Sequence, residues 1–374
     1  MSTKQAVIDL AYLKEILFEL LQIPSPAGFT DEIVRYTCEQ LDELSIPYEI
    51  TRRGAIRANL SGNTASPDRA IVSHLDTIGA MVKSLKSNGR LELVPIGTWS
   101  SRFAEGGRVT VFTDTKPYKG TVLPIKAAGH TYNEEIDTLP ISWETVELRI
   151  DEMCHSKGEL ITLGVNIGDF VAFDSAPEIS PSGYINARHL DDKAGVATVL
   201  AVAKSILDNK LTLPIDCHLL FTISEEVGSG ASAILHQDVA EMVSIDTGPS
   251  APGQSTDEYG VTICVKDSVG PFDYHLTHHL IELCKESNIP FKRDVFKHYR
   301  CDSASAIEAG NDIRTALVCF GADATHGYER CHEKTLDALG KLLLNYMMSE
   351  QMFKRDKDEL GSLQDFPSLP IEIE

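Results

Sequence analysis

Residues 219–228 read LLFTISEEVG, an apolar run that ends in two adjacent glutamates. The run is apolar enough to be buried on both faces, which is typical of a central strand in an α/β sheet. Sheets of this class place their ligands at the carboxyl ends of their strands. Neighbouring side chains point in different directions, so one of Glu225 and Glu226 can bind a metal ion while the other stays free as a base. Taken alone, the stretch is also compatible with a solvated acidic turn.

Three other stretches repeat this arrangement of an apolar run followed by a side chain of a metal-binding type. His74, Asp246 and His326 follow the runs 70–73, 242–245 and 317–321. If these runs are strands of one parallel sheet, their carboxyl ends meet at one edge. We therefore expect the four strands to bring their terminal histidines and carboxylates together.

The pair His74 and Asp76 lies two residues apart, so on a strand both side chains face the same side. His74 can then bind a metal ion while the Asp76 carboxylate holds the other ring nitrogen and fixes the tautomer. A histidine paired with an aspartate for structural reasons is an equally good interpretation of these two residues alone.

Residues 189–193 read HLDDK and open a predicted helix. Adjacent carboxylates at a helix start often act as caps and complement the helix dipole. The functional interpretation is that Asp191 is shared by two cations, with His189 as a wall of the site. Two histidines and three carboxylates suit divalent zinc, cobalt or manganese better than a closed structural zinc site.

Other histidines fit this pattern less well. His332 is a rival ligand, but it lies at a predicted helix entrance and ranks second to His326. We interpret His130 as a loop residue, with access to a neighbouring subunit's active site as the alternative. Three others lie together on the polar face of a predicted helix: His275, His278 and His279.

The order of predicted elements indicates an α/β domain that is interrupted by an all-β insertion. Helices are expected at residues 7–22, 30–44, 192–208, 273–287 and 333–349, and strands at 48–60, 70–73, 215–223, 241–246 and 314–320. Residues 77–184 contain short β-type runs (108–112, 120–125, 145–150 and 170–173) and no convincing helix. The predicted domains are therefore 1–76 with 185–374, and 77–184.

Composition excludes several classes of protein. A formal net charge of −21 makes nucleic acid and anionic membrane surfaces poor partners. No apolar stretch reaches the roughly 20 residues that cross a bilayer, and the first residues do not form a signal peptide. The eight cysteines are scattered without a CxxC pair, as expected of buried thiols in a reducing compartment. We therefore expect a cytoplasmic protein.

Together these motifs resemble the tetrahedral (TET) aminopeptidases, a family of dinuclear metallopeptidases. The matching pieces are His74-x-Asp76-x-x-Gly79, Leu190-Asp191-Asp192-Lys193-x-Gly195, Glu225-Glu226-Val227-Gly228, Asp246 and His326. They extend over the whole chain, and their combination is specific. The resemblance implies a zinc-exopeptidase-type α/β sandwich with a mostly parallel central sheet. It also implies a barrel-like insertion that assembles homo-oligomers as large as a dodecamer.

The resemblance also assigns roles. It implies two divalent ions per subunit, with zinc preferred and cobalt or manganese as alternatives, and peptide substrates cleaved at the amino terminus. Asp191 would bridge the ions through a cis peptide bond to Asp192, and Glu225 would be the general base, with Asp76 as a second catalytic residue. The remaining metal ligands would be His74 and Asp246 for one ion and Glu226 and His326 for the other.

Two departures from the family pattern bear on substrate preference. The stretch around His326 reads ATHGYE, where typical members have Arg-Tyr before the histidine and Ser after it, and residues 187–189 before the Asp pair read ARH. These features resemble a subgroup associated with the osmoprotectant N-acetylglutaminylglutamine amide. Two alternatives therefore stay open: a metal-dependent amidase or deacylase acting on acylated amino acids or an osmolyte dipeptide, and a non-catalytic scaffold of the same fold.

Overall fold

The computed structural model describes residues 7–235 and 238–370, and within them the strands form one mixed sheet and one closed barrel. The sheet contains β1 Tyr48–Ile50, β2 Ile56–Leu60, β3 Gly62–His74, β10 Glu178–Ile179, β11 Tyr184–Ala187, β12 Leu213–Thr222, β13 Val239–Pro249, β14 Val261–Lys266, β15 Phe291–Val295, β16 Arg314–Asp323 and β17 Glu329–His332. The barrel contains β4 Gly79–Leu85, β5 Leu91–Ile96, β6 Arg108–Phe112, β7 Pro117–Pro124, β8 Val146–Ile150 and β9 Phe170–Phe173.

The four central strands of the sheet are parallel, and the strands that pair with this group from outside are antiparallel to it. Its strand order is β1-β2-β12-β3-β13-β16-β17-β11-β10, with β14 pairing to β16 and β15 to β14. The four strands β12, β3, β13 and β16 run parallel to their neighbours in this group, while β2 and β17 are antiparallel to them. The predicted α/β fold class is thus confirmed, with the parallel pairing concentrated where the candidate residues lie.

Helices cover the sheet and bury its apolar side chains. Those of the main fold are α1 Leu10–Gln22, α2 Asp31–Glu43, α5 Leu190–Asp208, α6 Tyr274–Glu286, α7 Asp302–Glu308 and α8 Glu333–Met348, whereas α3 Gly129–Tyr132 and α4 Lys157–Thr162 lie in the insertion. α5 is buried along most of its length, and it packs on α1, α8, β3 and β13. The first helix begins at Leu10 rather than at residue 7 because the Asp9 carboxylate caps it, accepting from the amides of Ala11 and Tyr12.

The prediction that residues 77–184 contain no helix was wrong for two short segments, α3 and α4. Ser156 and Glu159 cap the start of α4 in an arrangement that resembles a capping box. The Ser156 hydroxyl accepts from the Glu159 amide, and the Glu159 carboxylate accepts from the His155 amide. This helix buries Leu160 alone, so it has no apolar periodicity to detect. The strands β14 and β15 and the helix α7 were also not predicted.

The barrel interrupts the main fold between β3 and α5. Its strand order is β4-β5-β8-β7-β6-β9, and β4 pairs with β9 to close it around a separate apolar core. The strand β10, which lies inside the predicted insertion 77–184, pairs with β11 of the main sheet. The exact domain boundaries stay a prediction. Among the described residues, no helix is both long and apolar enough to cross a bilayer.

A buried ion pair lies near the amino-terminal ends of the parallel strands, far along β3 from His74. Arg69 is fully buried and its guanidinium lies 3.0 Å from the Glu241 carboxylate. The same guanidinium donates to the main-chain carbonyls of Tyr346 and Ser349 and lies over the Tyr346 ring. This pair therefore links β3 and β13 to the end of α8.

We expect Arg69→Met to destabilise the fold by about 3–5 kcal/mol, because Glu241 would be left buried without a cation. The double variant Arg69→Met with Glu241→Gln should recover most of that loss, since the uncompensated charge is then absent. Urea denaturation of the three proteins measures both effects. A double variant no more stable than the single one would contradict this account.

Candidate metal centre

The carboxyl ends of the four parallel strands lie side by side. Thr222 of β12 is paired with His74 of β3, so Glu225 and Glu226 emerge directly beside His74. On the other side, Ser244 of β13 is paired with Val72, which brings Asp246 level with His74. The sheet thus places at one edge the side chains that the sequence distributes over four strands.

Two groups of ligand-type atoms form at this edge. One atom from each of His74, Glu225 and Asp246 lies within 4.8 Å of the others, and so do atoms from Asp191, Glu226 and His326. All seven predicted site residues except Asp76 belong to these two groups. Asp76 lies next to both, as described below.

Asp191 lies between the two groups and offers one oxygen to each. Its Oδ1 is 3.0 Å from His74 Nε2, and its Oδ2 is 3.5 Å from His326 Nε2. The Nε2 of His326 is also 3.4 Å from Glu226 Oε2. Ligand atoms bound at ~2.0–2.2 Å to one tetrahedral zinc ion are separated by roughly 3.3–3.5 Å. The spacing of the second group therefore suits a tetrahedral ion.

The Asp76 carboxylate has a different partner from the one we expected. The Nδ1–H of His74 donates to the main-chain carbonyl of Asp76 at 2.8 Å, whereas the nearest Asp76 carboxylate oxygen is 3.7 Å away. That carboxylate accepts instead from the amides of Glu225 (3.0 Å) and Glu226 (3.2 Å). Asp76 therefore fixes the His74 tautomer through its main chain and orients the two glutamates through its side chain.

His326 connects the metal centre to the barrel. Its Nδ1–H donates to the main-chain carbonyl of Thr98, in the loop between β5 and β6, at 3.1 Å. This bond leaves Nε2 facing Asp191 and Glu226, where a metal ion could replace its proton. The His326 side chain is 31% exposed, more than the other candidate ligands, so the centre opens to solvent on this side.

Asp192 binds the segment of β3 that carries His74. Its carboxylate accepts from the Ser73 hydroxyl and from the His74 amide. A Cβ on Gly195 would lie 2.3 Å from the Asp192 carboxylate, which explains the glycine of the Asp191-Asp192-Lys193-x-Gly195 motif. The Asp191–Asp192 peptide bond is cis, in agreement with what the resemblance implied.

The sequence profile described as M42 glutamyl aminopeptidase matches residues 54–342, which include every candidate residue above. The chain belongs to the M42 aminopeptidase family. It is therefore a peptidase, a hydrolase that acts on peptide bonds.

Several proteins that are similar to this M42 chain are named aminopeptidases, and several solved structures share its fold. It is 38% identical over 336 residues to the putative aminopeptidase YhfE of Bacillus subtilis, covering 90% of this chain and 97% of that protein. It is 25% identical over 214 residues to the glutamyl aminopeptidase of Lactococcus lactis, covering 56% and 58%. The solved TET1 peptidase of Pyrococcus horikoshii shares the fold at a TM-score of 0.79, with 22% identity over 90% of this chain and 100% of that one. A Thaumarchaeota TET aminopeptidase has a TM-score of 0.83 at 17% identity, covering 92% and 98%.

Carboxylates outnumber cationic groups in the M42 centre. Burial raises the pKa of Glu226 to about 7 and of Asp76 to about 6, and it raises those of Glu225 and Asp246 well above their usual range. Burial opposes the charged form of His326, but hydrogen bonding to Asp191 overcomes it and raises the His326 pKa to about 10. The Oε1 of Glu226 is buried and accepts no hydrogen bond from any described protein group. Unpaired acceptors and excess negative charge are what divalent cations require of a binding site.

The remaining candidate histidines have other partners. His189 bonds through Nε2 to the Phe173 carbonyl, and burial lowers its pKa to about 3, consistent with a neutral wall residue. His332 bonds through Nε2 to the Ser182 carbonyl and accepts from the Lys334 amide through Nδ1, so it caps α8. His130 lies exposed in α3. Neither His130 nor His332 belongs to the two ligand groups.

A third group of ligand-type atoms lies elsewhere, formed by Asp68, His218 and Asp238. The Asp68 carboxylate already accepts from the Ser66 amide at 2.6 Å and lies 2.8 Å from His218 Nε2. Both Asp68 oxygens therefore have protein partners. We interpret this group as a structural contact that stabilises the turn at Ser66.

Glu329 belongs to the centre but was missed by the sequence interpretation. Its carboxylate accepts from the amides of both Asp191 and His326. It is the third residue after His326, within the stretch that departs from the family pattern. An acidic residue so soon after a candidate ligand was the one signal in the sequence that could have indicated this role.

Gly97 provides a test of the contact between the barrel and the centre. It has φ +82°, and a Cβ there would lie 2.9 Å from Ile78 Cγ2 and 3.5 Å from Glu226 Oε2. We expect Gly97→Ala to clash with Ile78 and shift the loop at Gly97 against Glu226, which lies in contact with it, and so to lower metal content, in addition to a backbone cost of about 1 kcal/mol.

Gly106→Ala is the matched control, because Gly106 has φ +77° and a Cβ added to it would meet no atom within 4 Å. Both variants should lose similar backbone stability, but only Gly97→Ala should lose metal. Elemental analysis and thermal unfolding of the two purified proteins make the comparison. Equal metal content in both would show that Gly97 does not position Glu226.

Proposed function

We propose that this chain is a dinuclear metal-dependent aminopeptidase that removes amino-terminal residues from peptides. The observation that carries the proposal is the position of Asp191, whose two oxygens face two different groups of histidine and carboxylate atoms. A single carboxylate shared in this way suits two neighbouring cations better than one. The aminopeptidase names of the relatives support the reaction.

The proposal assigns each side chain to one ion. Asp191 would bridge both, His74 and Asp246 would complete one site, and Glu226 and His326 would complete the other. Two bound divalent ions would supply an activated water at neutral pH and polarise the scissile carbonyl. Zinc is the preferred ion by ligand type, with cobalt and manganese as alternatives.

Glu225 is the proposed general base. Its carboxylate lies 4.0 Å from His74 Nε2, beside the ligand groups, and its amide is held by Asp76. Burial raises its pKa well above the usual range, which favours a group that takes a proton and later returns it. Glu225 would take the proton of the attacking water and pass it to the leaving amine. Asp76 would act through Glu225 and Glu226 as a positioning residue.

The assigned ligands also favour a substrate with a free α-amino group. Each proposed ion would have three protein ligands, so a further position would be open to the unprotonated α-amine or to the scissile carbonyl of the substrate. A blocked amino terminus has no free amine to fill that position. This is the physical reason for preferring an aminopeptidase over a deacylase.

We also propose that the protein is a homo-oligomer assembled through the barrel. The solved TET1 peptidase assembles into a tetrahedron or an octahedral shell. Large apolar side chains of the barrel region are exposed here, with Met153 at 93%, Ile167 at 71% and Ile161 at 58%. Burial of these side chains against other subunits would explain them.

All eight cysteines are free thiols, which supports a cytoplasmic location.

A panel of substrates tests the reaction. Aminoacyl-amides and short peptides would be assayed beside the same compounds with acetylated amino termini, after chelation and after addition of zinc, cobalt or manganese. We expect metal-dependent hydrolysis of the free-amine compounds. Faster hydrolysis of the acetylated compounds would favour the amidase or deacylase, and no hydrolysis by metal-loaded protein would favour the scaffold.

Two variants test the assigned roles. Glu225→Gln should keep full metal content and lose about 10²–10⁴-fold in kcat, because the proton acceptor is removed while the ligands stay. Asp191→Ala should lose metal itself, because both ions share that side chain. Elemental analysis and kinetics distinguish the two outcomes. Unchanged turnover in Glu225→Gln, or two ions retained in Asp191→Ala, would refute the corresponding role.

A further inference from the structure

Glu329 connects two segments that reach the metal centre from different directions. Its Oε2 accepts from the Asp191 amide at 3.1 Å, and its Oε1 accepts from the His326 amide at 2.9 Å. The residue is 1% exposed. We propose that Glu329 is a positioning residue that sets the separation of Asp191 and His326 and thereby forms the second metal subsite. This inference rests on the proposed dinuclear function.

Both amides need the acceptor that Glu329 provides. Asp191 lies at the start of α5, where the first amides of a helix have no acceptor within the helix. His326 lies in the loop between β16 and β17 with φ +64°, a conformation that residues other than glycine adopt at a cost. A buried amide without a partner destabilises a fold substantially, so these bonds favour this loop conformation.

The framework fixes the position of Glu329 itself. Glu329 is the first residue of β17, and it is paired in the sheet with Ala187 of β11. The strand β11 leads through two residues, Arg188 and His189, to the start of α5. One strand pair therefore supports both the carboxylate and the segment that it binds.

Burial raises the pKa of the Glu329 carboxyl to about 8, so its charged form is disfavoured unless cations lie nearby. Among the described residues, no lysine, arginine or histidine nitrogen lies within 4.0 Å of its carboxylate, as the ion pairs of the structure show. A buried carboxylate without a cation is costly, and here it lies beside a centre that is already rich in carboxylates. Two bound divalent ions would offset that cost, so the charge is compatible with the loaded centre.

The variant Glu329→Gln is the sharpest test, because its amide oxygen can accept only one of the two bonds and its NH₂ would face the other amide. We expect the ion held by Asp191, Glu226 and His326 to bind about 10–100-fold more weakly, as for other residues that orient metal ligands. The ion held by His74, Asp246 and Asp191 should lose less affinity, because only one of its ligands belongs to a segment that Glu329 binds. Titration of chelated protein with Zn²⁺, followed by calorimetry and elemental analysis, measures both affinities.

Cobalt substitution gives a second readout that does not depend on turnover. The visible absorption of the second Co²⁺ ion to bind should change in Glu329→Gln, and excess metal should restore kcat with little change in KM. Glu147→Gln is the matched control, since Glu147 is 2% exposed but lies in the barrel, bonded to Lys86 and Arg90. This control should lose stability without changing either metal affinity or the cobalt spectrum.

The outcomes separate this inference from the proposed function. Two wild-type affinities and an unchanged cobalt spectrum in Glu329→Gln would overturn the inference while leaving the aminopeptidase intact. Wild-type protein that binds two ions yet cleaves no free-amine substrate would overturn the function, and the titrations would still judge Glu329. If Glu329→Gln does not fold, Glu329→Asp replaces it. Failure of both to fold, even with excess metal, would assign Glu329 to folding instead.

Discussion

The main constraint on the structure is the group of buried carboxylates that surrounds Asp191 at one edge of a parallel sheet. Such a group is unfavourable in isolation, because burial raises the pKa values of its acids. It is stable only if cations balance it, and two histidines do so in part. The surrounding amides stabilise three further carboxylates, Asp76, Asp192 and Glu329, which accept hydrogen bonds from the main chain of the segments that carry the candidate ligands. The centre is thus organised by its neighbours before any ion binds.

Much of this centre could be predicted because it obeys sheet geometry. Apolar runs ending in histidine or carboxylate mark the ends of β3, β12, β13 and β16, and parallel pairing then requires those ends to meet. The all-β insertion was predicted from short β-type runs and its barrel-like form from the family resemblance, whereas its short helices were missed because they have almost no buried face. The strand β14 and the helix α7 were missed for a similar reason, since both are short and α7 is mostly small residues.

The contacts that hold the ligands in place were harder to predict, because they depend on the main chain. No spacing rule indicates that Asp76 holds His74 through its carbonyl and the two glutamates through its side chain. Glu329 likewise acts on amides, which are the same at every position of the sequence. Long-range hydrogen bonds to the main chain become visible only once the fold has brought the segments together.

The bond between His326 and the Thr98 carbonyl has a consequence for regulation of the centre. His326, a proposed metal ligand that belongs to the main fold, is oriented by a loop of the barrel. A shift of the barrel loop would therefore change the orientation of His326 through this one hydrogen bond, and with it the binding of an ion. In the proposed oligomer, subunit packing and metal binding would then be thermodynamically coupled.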